Sequence, residues 1–326
     1  MLKFVKAYVK SMRLYYAFVT GIAGWLGIVC YEYMASLPGK TIEVAPGFAR
    51  KTVILVLLFL SWGINQIIND RLGLKEDRIN APERPMVTGE LDPNKSVMLS
   101  IGLLLTALIV TGLYLEPLAI VPAVAGVLLN VLYEHAKGFG ILGNIVFGIM
   151  IAMSYLVGFF AAGPIEFPHI TSEFVAVFVL LAVINGVMTL YTYFKDYEGD
   201  KAAGKKTIVV GFGIAKSRII SVLAAFIPAA AFVVMYLAGF YKTNINNTFV
   251  FLMVISFFLQ LYTGFLYYKY PEGERSYYSL AVNFRAGTCA QAALIALYNA
   301  GLGGVLFVLS YIFVGLLFNL HSNSKA

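Results

Sequence analysis

The chain has 326 residues, 60% of them apolar and only 13% charged, and its mean hydropathy is +0.81. An average soluble domain holds roughly 45–50% apolar and about 25% charged residues, so a soluble globular protein is excluded. The net charge of +7 arises from 24 Lys and Arg against 17 Asp and Glu, but no stretch interleaves basic and aromatic residues as a nucleic-acid groove does, and no nucleic-acid partner is expected. Cys30 and Cys289 lie inside apolar runs and indicate neither a disulfide framework nor a zinc site.

In chain order, a basic stretch from Met1 to Arg13 precedes an apolar run at 14–34. That run is too long and aromatic for a signal-peptide core and lacks a clear cleavage site, so it reads as a retained first span. Further apolar runs follow at 51–69, 97–115, 117–134, 140–162, 173–195, 217–238, 248–268, 279–299 and 303–320. Each is close to the roughly 20 residues that cross a bilayer. A chain in lipid must satisfy its own backbone hydrogen bonds, and these runs lack the alternation of a membrane barrel, so the expected fold class is all-α. The expectation is one integral membrane domain over residues 1–326, a polytopic bundle of nine to ten transmembrane helices. With the N-terminus in the cytoplasm, all but five of the cations fall on the inner side, the five being Lys40, Arg50, Lys51, Lys242 and Arg285. The positive-inside rule then sets the orientation in the cell membrane and accounts for most of the net charge. Segments 70–96 and 195–217 are the long charged loops, both cytoplasmic in this topology, and chemistry is expected there.

The second run leads into a stripe in which Ser61, Asn65, Asn69, Gly73 and Asp77 recur every four residues, with Asp70 and Glu76 beside them on the same helical face. Amides and acids in a span are costly and usually face a bundle interior or an aqueous cavity. Oxygen donors converging on one face are what Mg2+ requires, above all when phosphate oxygens complete its shell. The same residues also fit a solvated helix end in which the acids pair with Arg71, Lys75 and Arg78. Prolines 82 and 85 and Gly89 then break the helix and keep Arg84 near the acids, where a cation could bind diphosphate.

The sixth run ends in a second stripe of Asn185, Thr189, Thr192, Tyr193, Asp196 and Asp200. One D-x-x-x-D spacing is weak, but two such stripes on one side of the membrane, each trailed by a cationic loop, suggest two divalent ions clamping a diphosphate between facing helices.

These residues resemble the motifs of the UbiA-type intramembrane prenyltransferases. The family's N-D-x-x-D-x-x-x-D, followed by an R-I-N-x-P-x-R-P-like stretch, is matched by Asn69-Asp70-x-x-Gly73-x-x-x-Asp77 and then Arg78-Ile79-Asn80-Ala81-Pro82-Glu83-Arg84-Pro85. Its D-x-x-x-D-x-x-x-G-x-x-T is matched by Asp196, Asp200, Gly204 and Thr207, and Tyr133-x-x-x-Lys137 and Gly143-Asn144 are similar to two further signatures. The resemblance covers about residues 10 to 270 and implies a bundle of mostly nine helices around a lipid-open cavity, with 303–320 as an extra C-terminal helix. It implies binding of an isoprenyl diphosphate through Mg2+, ionisation to an allylic cation, and attack by a lipophilic acceptor, either an aromatic quinone precursor or a lipid. Carried over, Asn69, Asp77, Asp196 and Asp200 are the expected metal ligands, with Asp70 a supporting acid. Asn65, Asn69, Asn185, Arg84, Lys137 and Lys205 are expected to bind the diphosphate, and Tyr133 and Tyr193 to offer ring faces to the cation.

Gly73 stands where the family has its middle aspartate. Asp70 or Glu76 could supply the missing oxygen, or the altered site could belong to a UbiA-type terpene cyclase that folds the cation onto its own double bonds. Prenyl transfer stays ahead as the commoner activity of the family. A cation-coupled transporter is disfavoured, because its carboxylates belong near the bilayer midplane and these cluster at span ends. Arg285, close to Asn283 and Gln291, either reaches the diphosphate or snorkels to the interface. His135, His169 and His321 share no metal spacing, and Gly21, Ala23, Gly24 and Gly27 suit close helix contact.

Overall fold

The computed structural model describes residues 2–36, 46–164, 170–273 and 275–322, the side chain of Ser322 excepted; Lys40, His169 and Lys325 lie outside them. The described residues contain no strand and form helices α1 (Leu2–Met12), α2 (Ala17–Ala35), α3 (Phe48–Leu72), α4 (Leu74–Asn80), α5 (Pro85–Thr88), α6 (Pro93–Tyr114), α7 (Ile120–Ala136) and α8 (Ile141–Ala162). The second half continues with α9 (Ser172–Lys195), α10 (Tyr197–Ala202), α11 (Ile208–Ala224), α12 (Ile227–Leu237), α13 (Asn247–Lys269), α14 (Arg275–Tyr298) and α15 (Ala300–Ser322). Among the described residues, ten helical segments are long and apolar enough to cross a membrane. The protein is an integral membrane helical bundle.

Most expected runs lie within two or three residues of an observed span. The seventh differs. It begins at Ile208, where the Thr207 side chain accepts from the Val210 amide at 3.2 Å, and it is broken after Ala224 ahead of Pro228, in the first turn of α12. Proline tolerates a first turn but not a helix interior. Both acidic stripes are broken as well: α3 ends at Leu72 before Gly73, and α9 ends at Lys195 before Asp196. Glu76 and Asp77 therefore sit on α4 and Asp200 on α10, two short helices that lie against each other at one end of the bundle, while Asp70 stays in the last turn of α3 and Asp196 at the junction of α9 and α10.

Spans α2, α8, α9 and α14 form the interior, and α6, α7 and the α11–α12 pair the lipid-facing exterior. Glycine permits the close inner contacts. A Cβ on Gly158 would overlap the Gly24 backbone, and one on Gly148 the carbonyl of Ala182. Without a hydrophobic gradient between helices in lipid, small residues and interhelical hydrogen bonds supply the association. Span α14 is the least hydropathic of the ten and the most buried, because Asn283 donates to the Met188 carbonyl at 2.8 Å and Gln291 to Asn185 Oδ1 at 3.1 Å. At the opposite end from α4 and α10, Arg50 pairs with Glu116 at 3.0 Å and Lys51 with Glu32 at 2.9 Å.

Arg285 is held between α14 and α15, where Nε donates to the Tyr311 carbonyl at 3.0 Å and the guanidinium lies 4.8 Å from the Tyr311 ring centre. Gly315 leaves it room. It does not line the cavity of the motif acids, which removes the first of its two expected roles.

Candidate active site

Four local features bring the charged side chains together. Asn80 joins the two motif arms: its Nδ2 donates to the Asp196 carbonyl at 3.1 Å and its Oδ1 accepts from the Gly199 amide at 2.8 Å. A Cβ on Gly199 would overlap the Asn80 side chain, so only glycine allows this approach. Gly204 turns the chain with φ of 75°, a left-handed conformation that side chains disfavour. A short bridge between Phe139 and Lys206, with the Gly140 amide bonded to the Lys206 carbonyl at 2.8 Å, ties the loop carrying Lys137 to the loop carrying Lys205.

The result is a polar cavity of about 840 Å³, counted to its open mouth, walled by five carboxylates (Asp70, Glu76, Asp77, Glu134, Asp196) and four cations (Arg13, Arg84, Lys137, Lys195). Three ion-paired groups make up most of this wall. In the first, Arg13 bonds Asp70 Oδ1 at 2.6 Å, Gln66 donates to the same oxygen at 2.9 Å, and Arg84 lies 3.7 Å from it while pairing closely with Asp77. In the second, Lys137 spans Asp200 at 2.9 Å and Asp196 at 3.5 Å. In the third, Lys205 spans Glu76 at 3.0 Å and Glu134 at closer range. The acids thus do not pair with Arg71, Lys75 and Arg78, which are exposed; their partners come from distant parts of the chain.

Burial and neighbouring charge pull these groups in opposite directions. Burial raises Asp77 above the usual carboxylate range despite Arg84, and it pushes Asp200 up to about 7, with the Asp196 charge adding to it and Lys137 opposing. For Asp196, burial is outweighed by Lys137, Lys195 and Arg84, which hold the group low. Glu76 is also low, because Lys205 overcomes the burial.

A second cavity of about 880 Å³ is predominantly apolar and is lined mostly by residues of α3, α6, α7 and α8, among them Leu57, Leu104, Val127 and Met150, with Ser61, Asn65 and Asn130 among its polar exceptions. Trp62 belongs to both cavities, and Tyr16 stacks on it at 4.5 Å with an interplanar angle of 10°. Phe147 meets Trp62 at 5.3 Å and Tyr133 at 5.1 Å, so aromatic rings separate the charged chamber from the apolar one.

Of the residues expected from the sequence, Asn69, Asp70, Asp77, Arg84, Tyr133, Lys137 and Asp196 line the polar cavity. Others do not. Asn185 is fully buried and bonded to Leu181 and Gln291, deeper in α9 than the cavity-lining Thr189 and Thr192. Asn65 lines the apolar cavity instead. Tyr193 stands behind Lys137, its ring centre 5.8 Å from Nζ, and offers no face to the chamber. Asp200 and Lys205 lie one layer back, each facing the wall cations or acids rather than open space. His135 is exposed. Sequence reasoning missed Arg13, Gln66, Glu134 and Lys195. Arg13 immediately precedes an aromatic span start, but its left-handed backbone, φ of 47°, which turns it into the cavity, has no local signature.

The oxygen-only donor set fits a hard divalent cation. Asn69 Oδ1 and Glu76 Oε2 are buried without a hydrogen-bond donor, whereas the buried Asp200 carboxylate has the Lys137 ammonium 2.9 Å away as its charge partner. Among the described residues no three acids already converge as a cation-binding group, because each is drawn to a lysine or arginine.

The sequence profile of the UbiA prenyltransferase family matches residues 42–286. The chain belongs to the UbiA prenyltransferase family. It is accordingly an enzyme of the prenyl-transferring class. Among its relatives is digeranylgeranylglyceryl phosphate synthase of Sulfurisphaera tokodaii, 28% identical over 243 residues, which are 72% of this chain and 80% of the relative. The synthase of the same name from Thermococcus sibiricus is 28% identical over 67% of this chain and 73% of its own length. A UbiA homolog from Archaeoglobus fulgidus, solved with GPP and Mg2+, has a TM-score of 0.57 at 15% identity, covering 92% of this chain and 99% of its own. A structure from work on digeranylgeranylglyceryl phosphate synthase in membranes has a TM-score of 0.60 at 21% identity, covering 91% and 99%. At these identities the structures establish the UbiA fold.

Proposed function

We propose that this chain is a Mg2+-dependent membrane prenyltransferase that ionises an isoprenyl diphosphate and transfers the prenyl group to a glycerol phosphate lipid. The reading is carried by one observation, the adjacency of a chamber lined with carboxylates and cations to an apolar cavity, with Trp62 in both walls. A prenyl diphosphate has the same division of chemistry. The distribution of cations in the sequence supports a cytoplasmic N-terminus and a site at the cytoplasmic end.

In this reading Asn69, Asp77 and Asp196, which line the chamber, would hold Mg2+ with Asp200 behind them supporting the site through Lys137, and the bound ion would neutralise charge on the departing pyrophosphate. Arg84 and Lys137 face the same oxygens and counter the charge that builds as the bond from prenyl C1 to the diphosphate oxygen breaks. Asp70, fixed by Arg13 and Gln66, positions Arg84. Tyr133, with Trp62 and Phe147, presents ring faces to the allylic cation and keeps water from it. The acceptor hydroxyl oxygen then bonds to C1, and its proton passes to the released pyrophosphate.

The names of the relatives favour a lipid acceptor that carries a phosphate. Lys195 supports this choice, since it lines the chamber and, among the described residues, has no carboxylate within ion-pair distance. It is a cation available to a second anion beyond the diphosphate. The test is pyrophosphate release by the detergent-purified protein given Mg2+ and geranylgeranyl diphosphate, with and without geranylgeranylglyceryl phosphate. Acceptor-dependent release and a doubly prenylated product by mass spectrometry are expected. A hydrocarbon or terpene alcohol formed without acceptor would replace transfer by cyclisation, and no release from geranyl, farnesyl or geranylgeranyl diphosphate would overturn both.

A further inference from the structure

Gly73 leaves the first motif without its middle carboxylate, and neither neighbour proposed from sequence to replace it occupies the place where a side chain at position 73 would stand. Asp70 is committed: its Oδ1 takes Arg13 at 2.6 Å and Gln66 at 2.9 Å, with Arg84 next at 3.7 Å. Glu76 lies one turn on, along α4, with its Oε1 on Lys205. The group that does occupy the place comes from another helix. A Cβ built on Gly73 would lie 3.3 Å from Glu134 Oε1 and 3.8 Å from its carboxyl carbon. That is tighter than ordinary van der Waals contact. The Glu134 carboxylate therefore fills the space where a side chain at position 73 would begin.

We infer that Glu134, in the last turn of α7, supplies the carboxylate that residue 73 lacks, completing the divalent-cation edge of the first motif from across the helix interface. The inference rests on the Mg2+-diphosphate reading above and adds a residue to it. Three observations agree. Glu134 lines the polar cavity together with Gly73, Asn69 and Glu76. Asn69 Oδ1 and Glu76 Oε2, on the same wall, are buried oxygens without a donor, as expected of groups that await a cation. Gly73 has φ of −91°, a conformation open to any residue, so glycine is not required there by the backbone; what its missing side chain provides is room for Glu134. Lys205 bridges Glu134 to Glu76 and keeps the two acids from repelling each other in the absence of the cation.

The test is binding of Mn2+ with inorganic pyrophosphate to the full-length protein in detergent, read by titration calorimetry and by the Mn2+ paramagnetic resonance signal. Glu134→Gln keeps the shape and an oxygen for Lys205 but removes the charge, and should weaken Mn2+ binding about tenfold or more, the range found when partners of metal ligands are lost. Gly73→Asp alone brings a second carboxylate against Glu134 and should not strengthen binding. Gly73→Asp in the Glu134→Gln background should restore it, because the carboxylate returns by the other route. A merely structural Glu134 predicts no such rescue. Wild-type affinity in Glu134→Gln, or a double variant no better than the single, would overturn the inference. Where the Gln variant does not fold, Glu134→Asp retains the charge and withdraws it by one methylene, and wild-type affinity there would overturn it equally. Asp196→Asn separates the two levels: if it leaves Mn2+ binding intact the parent reading fails, whereas its loss alongside an unaffected Glu134→Gln refutes only the role of Glu134.

Discussion

Replacing Arg13 by methionine probes the buried end of the charge network. The Arg13 and Asp70 side chains are 4% and 3% exposed, so solvent screens neither. Removing one partner of a buried pair leaves an uncompensated charge and typically costs about 3–5 kcal/mol. Two neighbours reduce that cost here, because Gln66 keeps its 2.9 Å bond to the same oxygen and Arg84 remains 3.7 Å away. The strained backbone at residue 13 is retained by methionine and gives nothing back. The expected loss is therefore near the lower end, about 3 kcal/mol. Arg13→Met with Asp70→Leu removes both charges and leaves Arg84 with Asp77, so the double variant should be more stable than Arg13→Met alone. Equilibrium unfolding in mixed micelles, as SDS is titrated in, measures Arg13→Met, Asp70→Leu and the double variant. A cost below about 1 kcal/mol for Arg13→Met, as for an exposed pair, or a double variant as unstable as the sum of its singles, would refute the assignment of Arg13 as the buried partner of Asp70.

Four further outcomes are expected. Asp77→Asn and Asp196→Asn should each reduce pyrophosphate release by about 10²-fold or more while eluting as wild type on size exclusion; more than a tenth of activity remaining removes that residue from the ligand set. Gly199→Ala drives a methyl group into Asn80 and parts α4 from α10, and its kcat should fall by up to about 10²-fold, as for misplaced catalytic groups; unchanged kinetics would show that the close approach is dispensable. Lys195→Gln should raise KM for the glycerol phosphate acceptor more than for the diphosphate, and an equal rise in both would assign Lys195 to the donor. Asn185→Leu leaves Gln291 without its partner and should cost about 1 kcal/mol of stability with kcat unchanged; a collapse of kcat in a normally stable protein would return Asn185 to the substrate site.

Much of the architecture was legible because it is local. Ten apolar runs of spanning length and the prolines after Asn80 act through residues adjacent in sequence. The motif acids were legible too, since four-residue spacing marks a helical face whatever it packs against. Asn185 shows where the signal ends: it shares a face with Thr189 and Thr192, which line the polar cavity, yet one turn deeper that face packs against α14 and meets Gln291. Periodicity reports which residues share a face, not what that face meets.

The sequence by itself determined a membrane-spanning all-α bundle, the gathering of most of its charges at one end, and the two acidic arms of the candidate site. Only the tertiary structure decided which charges meet. Arg13 reaches Asp70 across 57 positions and Lys205 reaches Glu134 across 71, and Glu134 comes to rest beside the gap at Gly73. Hydropathy and helical period are set within a few residues of chain. Pairing of buried charges depends on how separate helices dock, because the cost of an unpaired charge in a low-dielectric interior is met by whichever partner the packing delivers.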